Sequence, residues 1–110
     1  MEVKISDVAS SQLVKYTSYY ASHFGLQAAN NLTDSFEAKM RYLTRFPEVG
    51  HPEPLAEGLM PLHRAIRIAT HVNVIYFVDY ADDAIKVADI WDTRLSPERL
   101  KRRLIRKRKY

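Results

Sequence analysis

The sequence predicts an α+β fold, in which a helical hairpin packs on a small antiparallel sheet. Three observations carry that reading. Apolar residues recur at spacings of three and four up to Phe46, then at a spacing of two from Leu62 to Trp91. Between the two regimes lies a loop, residues 47–61 (PEVGHPEPLAEGLMP), which holds four of the five prolines and two of the three glycines. A run of helices followed by a run of strands is the pattern of α+β proteins, whose helices gather on one face of an antiparallel sheet.

The elements follow in order. Met1 to Ser6 alternates around Val3 and Ile5 and reads as a short N-terminal strand. Ser6 or Asp7 caps a helix in which Val8, Leu13, Tyr16, Tyr20 and Phe24 recur at helical spacing, and Gly25 stops it. A second helix carries the stripe Ala28, Leu32, Phe36, Met40 and Leu43, and ends at Phe46-Pro47. So short a turn between them makes an antiparallel helical hairpin. After the loop, Leu62, Arg64, Ile66 and Ile68 share one side of a strand, with His63 and Arg67 in the other phase. His71 to Tyr80 is apolar in both phases, which places it centrally in the sheet with both faces covered. Tyr80-Ala81-Asp82-Asp83 reads as a turn, and Ala84 to Trp91 as the last strand. Ser96 and Pro97 start a final basic helix, 96–110, with Leu100 and Leu104 as its thin apolar stripe.

A chain of 110 residues fits one domain, 1–110. With no cysteine there is no disulfide, thiolate nucleophile or cysteine metal site. His23, His51, His63 and His71 do not fall at zinc-ligand spacing, so no metal and no cofactor is expected. No apolar run approaches membrane-spanning length, and the first ten residues lack a signal-peptide core, so the expected location is the cytoplasm. Charge is strongly polarised. Eight of the 17 lysines and arginines lie in residues 99–110 and none of the 13 acidic residues does, so a body of net −4 carries a tail of net +8. Such an end suits an anionic partner.

Four segments, in this order, resemble the RelE/ParE toxins of type II toxin–antitoxin systems, the plasmid stabilisation family. The hairpin closes on Leu43-Thr44-Arg45-Phe46-Pro47-Glu48-Val49-Gly50. A basic strand follows at Leu62-His63-Arg64-Ala65-Ile66-Arg67, then an apolar one at Val74-Ile75-Tyr76-Phe77-Val78-Asp79. The last strand leads into Asp92-Thr93-Arg94-Leu95-Ser96-Pro97. The resemblance implies a toxin that arrests growth, a cognate antitoxin in a hetero-oligomer, and one of two targets. ParE-like toxins bind DNA gyrase without chemistry. RelE-like toxins cut mRNA at the ribosome, so whether the chain is an enzyme stays open.

The resemblance also assigns candidate residues. Arg67 and Arg94 match the phosphate-binding, catalytic arginines of the nuclease branch, where a guanidinium fork would steady the phosphate. Asn73 stands where that branch has another arginine, and residues 95–100 contain neither the tyrosine nor the histidine expected of it. The ParE-like reading is therefore preferred. In the alternative, Arg67 pairs with an acid across the sheet and Arg94 anchors the last turn through Asp92 or Asp89. Arg64, Arg99, Arg102, Arg103 and Arg106 are the candidate target- or nucleic-acid-binding residues. His63 and His71 are candidates for approach across a hairpin, and Trp91 is expected beneath the last helix. A third reading is a non-toxic nucleic-acid-binding module that uses only the basic helix.

Overall fold

The computed structural model describes residues 1–110. The elements are β1 (Glu2–Ile5), α1 (Asp7–Phe24), α2 (Leu26–Arg45), β2 (His51–Pro52), a single 3-10 turn at Pro54–Ala56, β3 (His63–Ala69), β4 (Val72–Asp79), β5 (Ala84–Asp92) and α3 (Pro97–Leu104). One sheet in the order β1-β5-β4-β3-β2 holds all five strands. Its helical hairpin and antiparallel β3-β4-β5 core agree with the expected α+β fold. β4 has neighbours on both edges, as its apolar phases required.

Three features depart from the sequence reading. β1 pairs with β5 in parallel, Glu2 opposite Ala84 and Ile5 opposite Val87, so the sheet is mixed. A parallel neighbour needs a long crossover, and here the entire hairpin and the β3-β4 pair intervene. The loop contains a two-residue strand, β2, with His51 opposite Ala65 and Pro52 opposite Arg64. Proline is tolerated there because β2 is an edge. The final helix ends at Leu104 rather than running to Tyr110. Residues 105–110 turn back instead, and the Asp7 N–H donates to the Lys109 carbonyl at 2.9 Å.

Ser6 ties β1, α1 and β5 together. Its backbone N–H donates to Val87, its hydroxyl oxygen accepts the Ala9 N–H at 3.0 Å, and its own proton goes to the Ala88 carbonyl at 2.9 Å. That is an N-cap bonded to the sheet as well. On one face of the sheet, Leu32, Phe36, Met40 and Leu43 of α2 pack with Val74, Tyr76, Val87 and Ile90. On the other, Ile75, Ala88 and Trp91 meet Leu100 and Leu104 of α3 and Ala56 of the 3-10 turn. Trp91 thus lies beneath the last helix, as expected.

A β-bulge divides β5. Tyr76 pairs with Val87 and Ile75 with Asp89, leaving Ala88 without an opposite residue. The extra residue reverses the alternation. Ile85 and Val87 face the hairpin before it, and Ile90 faces the hairpin after it. Ala88 joins Trp91 on the α3 side, and Asp89 is turned toward the same side.

The turn 47–50 is gripped by the sheet. The Tyr76 hydroxyl, fully buried, accepts the Gly50 N–H at 2.9 Å and donates to the Pro47 carbonyl at 2.8 Å. Arg64 donates to the carbonyls of Glu48 (3.1 Å) and Gly50 (2.8 Å), and the Tyr80 hydroxyl bonds the Glu48 carboxylate. A Cβ on Gly50 would lie 2.6 Å from the Tyr76 hydroxyl and 2.8 Å from the Ala65 carbonyl. Close approach, not a special φ, demands glycine here. Replacing Tyr76 with Phe strands the buried Gly50 N–H and takes the donor from the half-buried Pro47 carbonyl, so it should lower unfolding stability by about 1–3 kcal/mol. Urea titration should show a lower midpoint at unchanged slope.

Candidate functional site

The basic end is built around one carboxylate. Asp89 is fully buried, on the α3 side of the sheet where the bulge sends it. Arg103 binds it through two guanidinium nitrogens, Nε to Oδ2 at 2.9 Å and Nη2 to Oδ1 at 2.5 Å. Arg108, from the returning tail, places Nη2 3.4 Å from Oδ2 and donates Nε to the Ala88 carbonyl at 2.7 Å. The Arg108 side chain is itself only 4% exposed. Arg103 also lies over the Trp91 ring, 4.8 Å from its centroid, where the ring face attracts the cation. Two guanidinium ions around one buried carboxylate satisfy the rule that buried charge is paired.

Leucines 100 and 104 face inward and leave Arg99, Lys101, Arg102 and Arg106 exposed around the end of the molecule. Next to them is a cavity of about 480 Å3 between α1 and the end of β5, lined by Lys15, Tyr16, Tyr19, Trp91, Asp92, Arg94, Arg99 and Arg103 among others. The Tyr16 hydroxyl accepts the Asp92 N–H at 3.1 Å, and burial raises the pKa of the Tyr16 phenol. Arg94 returns onto Asp92, Nε to Oδ1 at 3.1 Å and Nη2 to Oδ2 at 2.8 Å. That paired guanidinium holds the Asp92 carboxyl below its ordinary range.

The sequence candidates are dispersed. Arg94 anchors the turn through Asp92, one of the two acids weighed for it. Arg67 is exposed on β3, opposite Asn73 rather than an acid, and lines a different groove with Tyr42 and His51. The two arginines do not share a cavity. Arg64 grips the 47–50 turn. Arg103 is half-buried on Asp89, whereas Arg99, Arg102 and Arg106 are exposed. His63 sits at the start of β3 opposite Phe77, and His71 lies beyond the other end of that strand, so they do not meet. His63 donates its Nδ1–H to the Pro61 carbonyl (2.8 Å), and burial lowers its pKa. Asp89 and Arg108 were missed as a pair. The signal was there: Val87 and Ile90 are three apart, so an alternating strand that buries both must slip by one residue and turn Asp89 to the other face.

No group of three histidine or acidic side chains is arranged to hold a metal ion, and no helix is long and apolar enough to cross a membrane.

A helical hairpin on one face of a five-stranded sheet, closed on the other by a short basic helix, is the architecture of the RelE/ParE toxins. Residues 3–96 match the family described as "ParE toxin of type II toxin-antitoxin system, parDE", and the chain belongs to it. A solved structure, "Chromosomal ParDE TA system from P. aeruginosa", is similar in fold, with a TM-score of 0.65 and 16% identity over 84% of this chain and 95% of that one. No curated protein matches the chain. Membership of the family implies an antitoxin as partner.

Asp89→Asn should cost about 3 kcal/mol, because it leaves Arg103 and Arg108 buried without a counter-charge. Limited trypsin digestion should then cut the tail after Arg106 or Lys107 well before the body, while the parent chain resists. Stability should fall with acid in two windows. His63 takes up a proton more readily unfolded than folded, so stability is full above 6.5, its ordinary value, and declines as pH drops below it. Asp79, Asp82 and Asp92, all held below 3.8, stabilise above that value, and their contribution is lost as pH falls through the folded values. Urea midpoints against pH check both, and His63→Gln should remove only the upper step.

Proposed function

We propose that this chain is the toxin of a cytoplasmic toxin–antitoxin pair and that it arrests growth by binding DNA gyrase, without chemistry of its own. A single toxin domain, 1–110, would form the hetero-oligomer with its antitoxin. The observation that carries the reading is the separation of Arg67 and Arg94. Phosphodiester cleavage needs cations, a base and an acid converging on one phosphate. Here the two arginines line different surfaces, and Arg94 commits its Nε–Nη2 edge to Asp92. The exposed arginines of the basic end, Arg99 and Arg102 on α3 and Arg106 just after it, are the target-binding set in this reading, with Arg103 and Arg64 holding the framework behind them. An acidic body with a basic end steers that end toward an anionic partner surface.

The test is tightly controlled induction in bacteria, joined to a supercoiling assay with purified gyrase. The expected outcome is filamentous arrest with intact mRNA, retained by Arg67→Ala and Arg94→Ala. Gyrase inhibition should fall at least tenfold in a triple Arg99→Glu, Arg102→Glu, Arg106→Glu variant that melts like the parent. Codon-phased mRNA cuts, abolished by Arg67→Ala, would replace this reading with the ribosome-dependent nuclease. Healthy growth of induced cells would remove the toxin function altogether.

A further inference from the structure

The cavity between α1 and the end of β5 opens beside the exposed face of α3, and Arg99 borders both. Its polar groups are arranged in an unusual way. Arg94 and Arg103 both line it, and each is locked from behind by a carboxylate, Asp92 and Asp89 respectively. Each commits Nε and Nη2 to that carboxylate, which leaves its Nη1 without a protein acceptor. A guanidinium whose rotamer is already fixed loses little entropy on accepting a ligand. Two further cations, Lys15 from α1 and Arg99 from α3, line the same cavity with no acid partner. The Tyr16 hydroxyl accepts the Asp92 N–H and keeps its own proton to donate.

Arg94 is neutralised by Asp92 and Arg103 shares Asp89 with Arg108, so the cations on the cavity wall with no carboxylate partner at all are Lys15 and Arg99. Two positive charges match a phosphate group, which carries about −1.5 to −2 near neutral pH, better than a single carboxylate. The remaining wall is aromatic and apolar: Tyr16, Tyr19 and Leu95, with Tyr19 exposed at 44% and backed by His23, whose ring stacks on it with centroids 4.0 Å apart. A cavity of about 480 Å3 lies in the range of small-ligand sites, roughly 300–1,000 Å3.

We propose that this cavity is a binding site for a small phosphorylated ligand with a planar ring, of the nucleotide class. Its phosphate is held by Lys15, Arg99 and the free edges of Arg94 and Arg103, and its ring lies against Tyr16 and Tyr19. The proposal does not depend on gyrase being the target, since Lys15 belongs to α1 and plays no part in that reading.

ADP is the probe, titrated calorimetrically into the full chain, with inorganic phosphate in parallel. Trp91, the only tryptophan, lines the cavity and reports occupancy by its emission. ADP should bind saturably with a Kd on the order of 10–100 µM, at least tenfold tighter than phosphate, and shift the Trp91 emission. Lys15→Ala and Arg99→Ala remove exposed, unpaired side chains, so both variants should fold, and each should weaken ADP by about tenfold. Lys107→Ala, an equally exposed cation outside the cavity, should bind like the parent. Three results would overturn the proposal: no saturable heat with ADP, equal affinity for ADP and phosphate, or the same loss in Lys107→Ala as in Lys15→Ala.

Discussion

Asp89 is the residue on which the tail side of this protein turns. A lone carboxylate in the interior would be too costly to keep ionised. Here it carries two guanidinium partners that arrive from different directions, Arg103 from α3 and Arg108 from the returning tail. The bond network sets the angle of α3 to the sheet, makes the tail double back, and turns Arg103 over Trp91. Such an arrangement specifies geometry more than it adds net stability, since a well-packed apolar replacement is often as stable. What apolar side chains could not do is hold a guanidinium at the edge of a cavity with one nitrogen to spare.

The β5 bulge makes that arrangement possible. Without the extra residue at Ala88, the alternation set by Ile85 and Val87 would drive Asp89 into the hairpin core among Leu32, Phe36 and Leu43. One unpaired residue therefore moves a charge from the face where it would be ruinous to the face where it organises the basic end. The opposite corner works by close contact. Gly50 has no Cβ, so Tyr76 approaches the backbone and bonds it, and Arg64 closes over the same turn. Both corners lie on strands of one sheet, so the hairpin and the basic end are positioned by the same scaffold.

Much of this was legible in the residues. The stripe Leu32, Phe36, Met40, Leu43 predicted the buried face of α2, and the doubly apolar strand at 72–79 predicted its central place. The Phe-Pro-x-x-Gly turn carried the family and, as Gly50 shows, a steric reason for it. Strand direction was not legible, because Val3 and Ile5 read alike whether β1 runs parallel or antiparallel to β5. The end of α3 was hidden for a related reason. Arg106 to Lys109 looks like a solvated helix end in one dimension, and only the long-range pairing of Arg108 with Asp89 makes a turn-back preferable. Among the candidate site residues, sequence identified the cationic end but not the division of labour within it. Arg99 and Arg103 are indistinguishable as letters, yet one is exposed and the other is clamped on a buried acid. Lys15 went unremarked as a site residue, and Tyr16 read as a packing residue of α1, because both lie some 80 positions from the arginines they face.

The backbone clasp between Asp7 and Lys109 joins the two extremities of the chain. Closing a loop over so many residues is costly in entropy, so this clasp forms only when the sheet between its two halves is in place. Residues 105–110 are thus a late-ordered latch, and local opening at Asp7 and Lys109 releases the basic tail before the sheet itself gives way.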